Sequence, residues 1–268
     1  MIHTQKGGLG VWRFESLSQF EGLQHGVTGR PGGVSRPPYA ALNLGLHVGD
    51  DPAAVIENRR RLCAALGLDI ATLTLGAQVH GAELAIAGEQ QVGAGSLDLA
   101  SAIPGVDGLV ITRPGLLAAV LSADCVPLVL YDPKRRVGAV IHAGWRGAAA
   151  GIAARAVRLL RDSCASDPEH LYVAIAPAIG VCCYQVSQCV AGRVVAALPD
   201  PRRALEQRDG AWYVDLAECS RQQLLASGVL ASHIEGAGIC TSCRADAFFS
   251  ERRLGRPTGR LGTFLVLL

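Results

Sequence analysis

"VPLVLYDPKRRVGAVIHAGWRG" (126–147) carries two apolar runs separated by a polar turn. The turn "YDPKRRV" predicts an antiparallel hairpin. Neither run alternates between apolar and polar residues. A strand that is apolar at nearly every position has to be covered on both faces. "DGLVIT", "LLAAVLSAD", "LYVAIAPAIG", "TLTLGAQVH" and "RLGTFLVLL" are runs of the same kind, each bounded by Gly, Pro, Asp or Arg. The second run of the hairpin ends in an unusual way, with His142, Trp145 and Arg146 set among small residues.

Helical patterns lie between these runs. "GDDPAAVIENRRRLCAALGL" has Asp51 to cap it, Pro52 at its first position and Gly67 to stop it. At about 100° per residue, Arg59 falls inside the apolar stripe of Val55, Ile56, Leu62, Cys63 and Leu66. A guanidinium there needs a buried anion or several carbonyls, unless it lies at the stripe's edge and reaches water. "GIAARAVRLLRDSC" turns Ile152, Ala156, Leu159 and Leu160 inward and presents Arg155, Arg158 and Arg161 to solvent. "SQCVAGRVVAAL" and "DLAECSRQQLLASG" are also helical. "VTGRPGGVSRPPYAALNLG" is a long loop within the fold, since aliphatic runs resume on both sides of it.

The chain has 268 residues, half of them hydrophobic, and a formal net charge of +2. That balance gives no electrostatic footprint for nucleic acid. No stretch approaches the roughly 20 apolar residues of a membrane span. The first residues lack the order of a signal peptide, so a cytoplasmic location is expected. Nine cysteines, an odd number placed mostly in apolar runs, fit reduced thiols better than a disulfide framework. Cys63, Cys164, Cys189 and Cys219 read as small core residues in helices.

The hairpin gathers chemistry at one end. Pairing Tyr131 with Arg136 puts Cys125 opposite His142 on the same face, and a shift of one residue puts them on opposite faces. His80, at the end of "TLTLGAQVH", is a third candidate. Together His80, Cys125 and His142 could form a catalytic zinc site with one open position. Alternatively, Cys125 could be a nucleophile with a histidine as its base, or all three could simply end strands. "CTSC" (Cys240, Cys243) and the pair Cys182–Cys183 could form a structural zinc site if a turn presents the second pair, since adjacent cysteines in extended chain point to opposite sides. "FFSERRLGRPTGR" carries Arg252, Arg253, Arg256 and Arg260, which either hold an anion or form a solvated segment. Neither a GxGxxG nor a GxxxxGK[ST] motif is present.

Taken in order, "GVSRPPYAALNLGLHVGDDP", "ENRRRL", "QVHG", "SADCVPLVLYDP", "VGAVIHAGWRG", "APAIGVCCYQV" and "FFSERR…GR" resemble the laccase-domain family. That family is known both as polyphenol oxidase and as purine nucleoside phosphorylase. The resemblance implies one α/β domain over residues 1–268, with packed mixed β-sheets flanked by helices in α-β-β-α layers. It implies His80, Cys125 and His142 as metal ligands, and a zinc-dependent phosphorylase that splits adenosine, inosine and methylthioadenosine with phosphate and also deaminates adenosine. Asp124 and Asn43 become candidate catalytic and substrate-binding residues by the same resemblance. Arg59 and Arg146 are candidates to bind phosphate bidentately. A monomer or small homo-oligomer is expected. Some family members are tied to editing of peptidoglycan precursors, which is a further alternative, as is a cysteine hydrolase. Pro37, Ala41 and Glu251 depart from the family pattern, and they bear on the substrate loops, not on the metal triad. A full multicopper laccase would need on the order of ten histidines, and this chain has seven with no His-X-His. A single bound copper would still be chemically feasible. The zinc deaminase motif H-x-E with P-C-x-x-C is absent.

Overall fold

The hairpin at the centre of the sequence is also at the centre of the fold. In the computed structural model, which describes residues 1–196 and 198–268, strands Val126–Asp132 and Val137–Ala143 pair antiparallel and are buried throughout. Asp132 shapes the turn, its Oδ1 accepting from the backbone N–H groups of Lys134 and Arg135 at 2.8 and 3.1 Å. The observed register corrects the expected one by two residues. Tyr131 pairs with Gly138, and His142 pairs with Pro127. Cys125 is therefore not directly opposite His142, but an even shift leaves every side chain on its expected face.

The hairpin belongs to a six-stranded sheet ordered Ile234–Gly236, Tyr172–Ile175, Val126–Asp132, Val137–Ala143, Gly108–Ile111 and Leu84–Ala87. A second, seven-stranded sheet runs Ile2–Lys6, Leu9–Arg13, Leu23–Thr28, Leu261–Leu267, Leu117–Ser122, Leu73–Ala77 and Ile103–Pro104. Both sheets are mixed. A three-stranded sheet of Gln185–Val186, Ala211–Val214 and Leu205–Arg208 stands apart. The N-terminal strands and this small sheet have no strong apolar run and were not among the expected elements.

Period-two alternation distributes the side chains over three layers of core. Val129, Tyr131 and Val140 from one sheet meet Ala118, Val120, Leu265 and Leu267 from the other. Leu128, Leu130, Ala139 and Ile141 point outward onto helices Ile152–Cys164, Gln188–Val195 and Leu216–Ala226. On the far side, Leu117, Ala119, Phe264 and Val266 pack on helix Pro52–Leu66. The order is helix, sheet, sheet, helix, as expected. It explains the continuous apolarity of the strands, since each lies between two cores.

Helix Pro52–Leu66 begins and ends where its sequence says. The Asp51 carboxylate accepts from the Ala53 N–H at 3.0 Å, and Gly67 closes the helix in the left-handed region at φ 76°. Cys63 and Cys219 are buried as expected, whereas Cys164 is half-buried and Cys189 is exposed. Cys189 falls on the outer side of helix Gln188–Val195, which buries Ala191 and Val194 instead. Among the described residues, no helix is long and apolar enough to cross a membrane.

Candidate metal centre

His142 shares a face with Val140, so it points into the space between the two large sheets. It lies at the end of its strand, where the apolar filling stops. Cys125 sits one residue before the paired strand, after Asp124 at φ 87°. His80 follows the end of strand Leu73–Ala77 and is itself left-handed at φ 58°. The ligand atoms of His80, Cys125 and His142 all lie within 4.8 Å of one another. The two imidazoles stand edge to face, with centroids 4.9 Å apart.

A fourth residue, Asp107, organises the two histidine-bearing segments. It is fully buried at the start of strand Gly108–Ile111. One carboxylate oxygen accepts from His142 Nδ1 at 2.9 Å and from the His80 N–H at 3.0 Å. The other accepts from the N–H groups of Gly81 at 2.7 Å and Val79 at 3.2 Å. The Asp107 carbonyl also accepts from the His142 N–H at 2.7 Å. Holding Nδ1 this way leaves Nε2 of His142 free for a metal, the usual arrangement around a ligating histidine. Sequence reasoning missed Asp107. Its signal was a carboxylate abutting the all-apolar run "GLVI", where it must find donors or a cation.

The electrostatics follow from this packing. Burial alone would raise the Cys125 thiol, but His142 and His80 outweigh it and bring the thiol down to about 6. Burial would likewise lower His142, yet the Cys125 sulfur and Asp107 push it up to about 9. Burial works against ionised Asp107, and His142 with the N–H groups of Gly81 and Val79 holds its carboxyl below the usual range. The directions of these shifts favour a thiolate beside an imidazolium, backed by a carboxylate. With a metal bound, the thiolate and two neutral imidazoles would supply three donors and leave a coordination position open. The backbone fits this use. A Cβ built on Gly144 would lie 3.1 Å from His80 Cδ2, 3.3 Å from Cys125 Sγ and 3.7 Å from His142 Cε1. Glycine here keeps the space between the ligands open. Gly147 has a different reason, because a Cβ there would meet the Gly81 carbonyl at 2.6 Å.

The triad opens into a cleft of about 400 Å³ lined also by His47, Gln78, Ser122, Glu251, Arg256 and Arg260. Gln78 fastens the segment before His80 to the neighbouring sheet, exchanging two hydrogen bonds with the Leu121 backbone at 2.7 and 2.8 Å. Glu251 pairs with Arg256 at 2.7 Å and with Arg260 at 3.0 Å. The C-terminal arginine run therefore splits. Arg256 and Arg260 face the cleft. Arg252 donates instead to the Cys183 and Gln185 carbonyls and lies over the Tyr184 ring.

The other sequence candidates lie outside the cleft lining. Arg59 is buried, with four of its five N–H donors on the carbonyls of Leu44, Gly95 and Ser96 at 2.6 to 2.9 Å. It answers the demand for several carbonyls, so no phosphate can use the same donors. Arg146 is exposed and stacks on the Trp145 ring, 4.4 Å from its centroid. Asn43 accepts from the backbone N–H groups of Gly45 and Arg260 and donates to Asp50. Asp124 accepts from Thr241 Oγ1 at 2.6 Å and from the Arg252 N–H at 2.7 Å. Asn43 and Asp124 thus position Arg260 and Cys125, to which they are bonded or adjacent.

Residues 24–268 match the model of the multi-copper polyphenol oxidoreductase laccase family. A purine nucleoside phosphorylase, YlmD of Geobacillus stearothermophilus, is 43% identical over 249 residues, covering 92% of this chain and 90% of the relative. The crystal structure of Geobacillus stearothermophilus YlmD superposes with a TM-score of 0.90 at 42% identity, covering 92% of this chain and 93% of that one. A Bacillus licheniformis hypothetical protein, YfiH, superposes with a TM-score of 0.92 at 33% identity, covering 99% of this chain and 97% of that one.

Proposed function

This chain belongs to the multi-copper polyphenol oxidoreductase laccase family, and from that premise we propose that it is a zinc-dependent purine nucleoside phosphorylase acting on adenosine, inosine and methylthioadenosine. The observation that carries this reading is the opening of His80, Cys125 and His142 into a cleft that also presents Arg256 and Arg260. A cleft of about 400 Å³ lies within the usual range for small-molecule sites. The phosphorylase names of the relatives support the same class.

Phosphorolysis breaks the bond from C1′ of the ribose to the purine and makes one from C1′ to a phosphate oxygen. The bond's electron pair leaves with the base, which takes up a proton. Arg256 and Arg260 bind the phosphate dianion, and Glu251 fixes where they point. Asp107 holds the two histidines, Gln78 holds the strand end before His80, and Cys125 is kept as a thiolate. When bound by the three ligands, zinc supplies a Lewis acid for charge developing on a substrate oxygen. Adenosine deamination at the same centre is part of this proposal and is read as ammonia release. Zinc is favoured over a laccase copper array because, among the described residues, only two groups gather three or more metal-type ligands, and they hold two histidines between them, far fewer than such an array needs. We place the enzyme in the cytoplasm, where its nine free cysteines would stay reduced.

The depressed Cys125 thiol beside His142 and Asp107 supports a second reading, a cysteine nucleophile. One experiment separates the two. Inosine is converted with and without phosphate by wild type, by His142→Ala and by chelator-treated protein. The phosphorylase reading expects phosphate-dependent hypoxanthine release that chelation abolishes and zinc restores. Phosphate-independent activity that survives chelation and dies on thiol alkylation would establish the nucleophile instead.

A further inference from the structure

We propose that Cys182, Cys183, Cys240 and Cys243 form a second, structural zinc site of the closed four-thiolate type, which clamps two loops behind the catalytic centre. The four sulfurs all lie within 4.8 Å of one another. Cys243 Sγ is 3.7 Å from that of Cys182 and 3.5 Å from that of Cys183. Tetrahedral zinc with bonds of about 2.3 Å requires sulfurs about 3.8 Å apart. The separations are therefore close to those a metal would impose and far beyond the roughly 2 Å of a disulfide.

The backbone is built around this cluster. The chain turns at residues 180–184, with the N–H groups of Cys183 and Tyr184 both donating to the Gly180 carbonyl at 2.9 and 3.0 Å. That turn brings Cys182 and Cys183 to the same side despite their adjacency in sequence. It also supplies the condition that the "CTSC" motif needs, a second pair presented by a turn. A short parallel bridge between Ala178 and Cys240 brings the two loops together. The Gly180 N–H donates to Cys240 Sγ at 3.2 Å, the kind of contact that stabilises a thiolate. A Cβ on Gly180 would lie 3.2 Å from Cys182 Sγ and 3.3 Å from Cys240 Cβ, so glycine eases the approach of the two loops.

Packing does not account for the cluster. Cys182 and Cys243 are exposed and the other two are half-buried, whereas cysteine that serves as a core residue is buried. Four ligands that are all protein thiolates leave no open position, which makes the site structural. Metal binding here exchanges thiol protons for zinc and involves no redox change. The clamp has a clear beneficiary in Asp124. The Asp124 carbonyl accepts from the Ile179 N–H at 2.8 Å, and its carboxylate accepts from Thr241 Oγ1 at 2.6 Å. One contact comes from each clamped loop, and Asp124 is the left-handed residue that delivers Cys125 to the triad.

The test uses the full chain purified in reducing buffer. Elemental analysis should find about two zinc ions per chain, falling to about one or less in Cys240→Ser/Cys243→Ser, which also loosens the triad, and to about one in His80→Ala/His142→Ala. The second variant leaves the four cysteines intact, so it decides the matter even if the first does not fold. Cobalt-substituted His80→Ala/His142→Ala should show the intense sulfur-to-cobalt charge transfer of a tetrathiolate centre. A folded His80→Ala/His142→Ala that binds neither zinc nor cobalt overturns the proposal. So does intact mass after non-reducing alkylation that shows these cysteines joined as disulfides.

Discussion

Asp107→Asn keeps the shape of the side chain and removes its charge, and it should uncouple the metal centre from the fold. Asp107 accepts four hydrogen bonds, two on each oxygen. Asparagine has one oxygen, so in either orientation its NH₂ faces two groups that need an acceptor. Two hydrogen bonds to a charged acceptor are then lost, at about 1.5–3 kcal/mol each. The gross penalty is about 3–6 kcal/mol, part of it taken as lost fold stability. If the NH₂ turns to His142 it donates to Nδ1, and the imidazole must carry its proton on Nε2, the nitrogen the metal needs. The part expressed in metal binding is that of an outer-shell partner, about 10–100-fold in affinity. Zinc affinity is measured by competition with a chromophoric chelator, beside urea unfolding of the metal-free protein. The four-cysteine zinc, which Asp107 does not touch, serves as the internal reference. If Asp107→Asn bound triad zinc as tightly as wild type, the reasoning would fail, even with the predicted loss of stability.

Three further outcomes follow from other residues. Gly144→Ala should weaken triad zinc at least about tenfold while thermal stability changes little, since φ −73° and ψ 172° suit alanine; a general loss of stability with full metal content would contradict this. Arg59→Met should cost about 3 kcal/mol or more in urea unfolding, because buried carbonyls of Leu44, Gly95 and Ser96 lose their donor. It should leave triad zinc unchanged, and a raised KM for phosphate at wild-type stability would return Arg59 to the substrate site. Burial, aided by Arg13, lowers His25 to about 4, against about 6.5 when unfolded. The unfolded chain then binds the extra proton first, so stability is complete above about pH 6.5 and falls as pH drops towards 4, by about 3 kcal/mol at most. His25→Gln should flatten that part of the urea-midpoint profile, and an unchanged slope would show that another group titrates there.

The layers were legible because they leave a one-dimensional trace. An all-apolar strand such as residues 126–131 can only lie between two cores, and Asp51, Pro52 and Gly67 mark a helix by local chemistry alone. His80, Cys125 and His142 were legible because each ends a readable strand. What was not legible depends on which groups meet in space. The hairpin register turned on two N–H groups captured by Asp132, which the pattern of apolar residues does not encode. Arg59 showed that it needed acceptors, but the acceptors come from two loops, at Leu44 and at residues 95–96. Arg260 could be read equally as solvated or as anion-binding until Glu251 and Asn43 were seen to hold it in the cleft.

Among the described residues, two sulfur-bearing centres have opposite designs, and the difference bears on what each can do. The triad offers three donors, one of them exposed, and a glycine that keeps the remaining space empty. A metal there would keep one coordination position open. The four-cysteine cluster offers four donors of one kind and no such space, so a metal there can only hold chain together. The connection between them runs through the backbone at Asp124. A non-glycine residue at φ 87° costs of order 1–3 kcal/mol, and that conformation must be imposed by its surroundings. Ile179, Thr241 and the Arg252 N–H together hold it, and the first two lie on the cysteine-bearing loops. Loss of the clamp would therefore act on the triad without touching a ligand. Cys125 would lose its fixed direction before either histidine moved, because Asp107 holds His80 and His142 independently. Stripping the structural zinc should thus convert a three-ligand centre into a two-histidine one, with weaker metal binding and an accessible Cys125 thiol that alkylates faster.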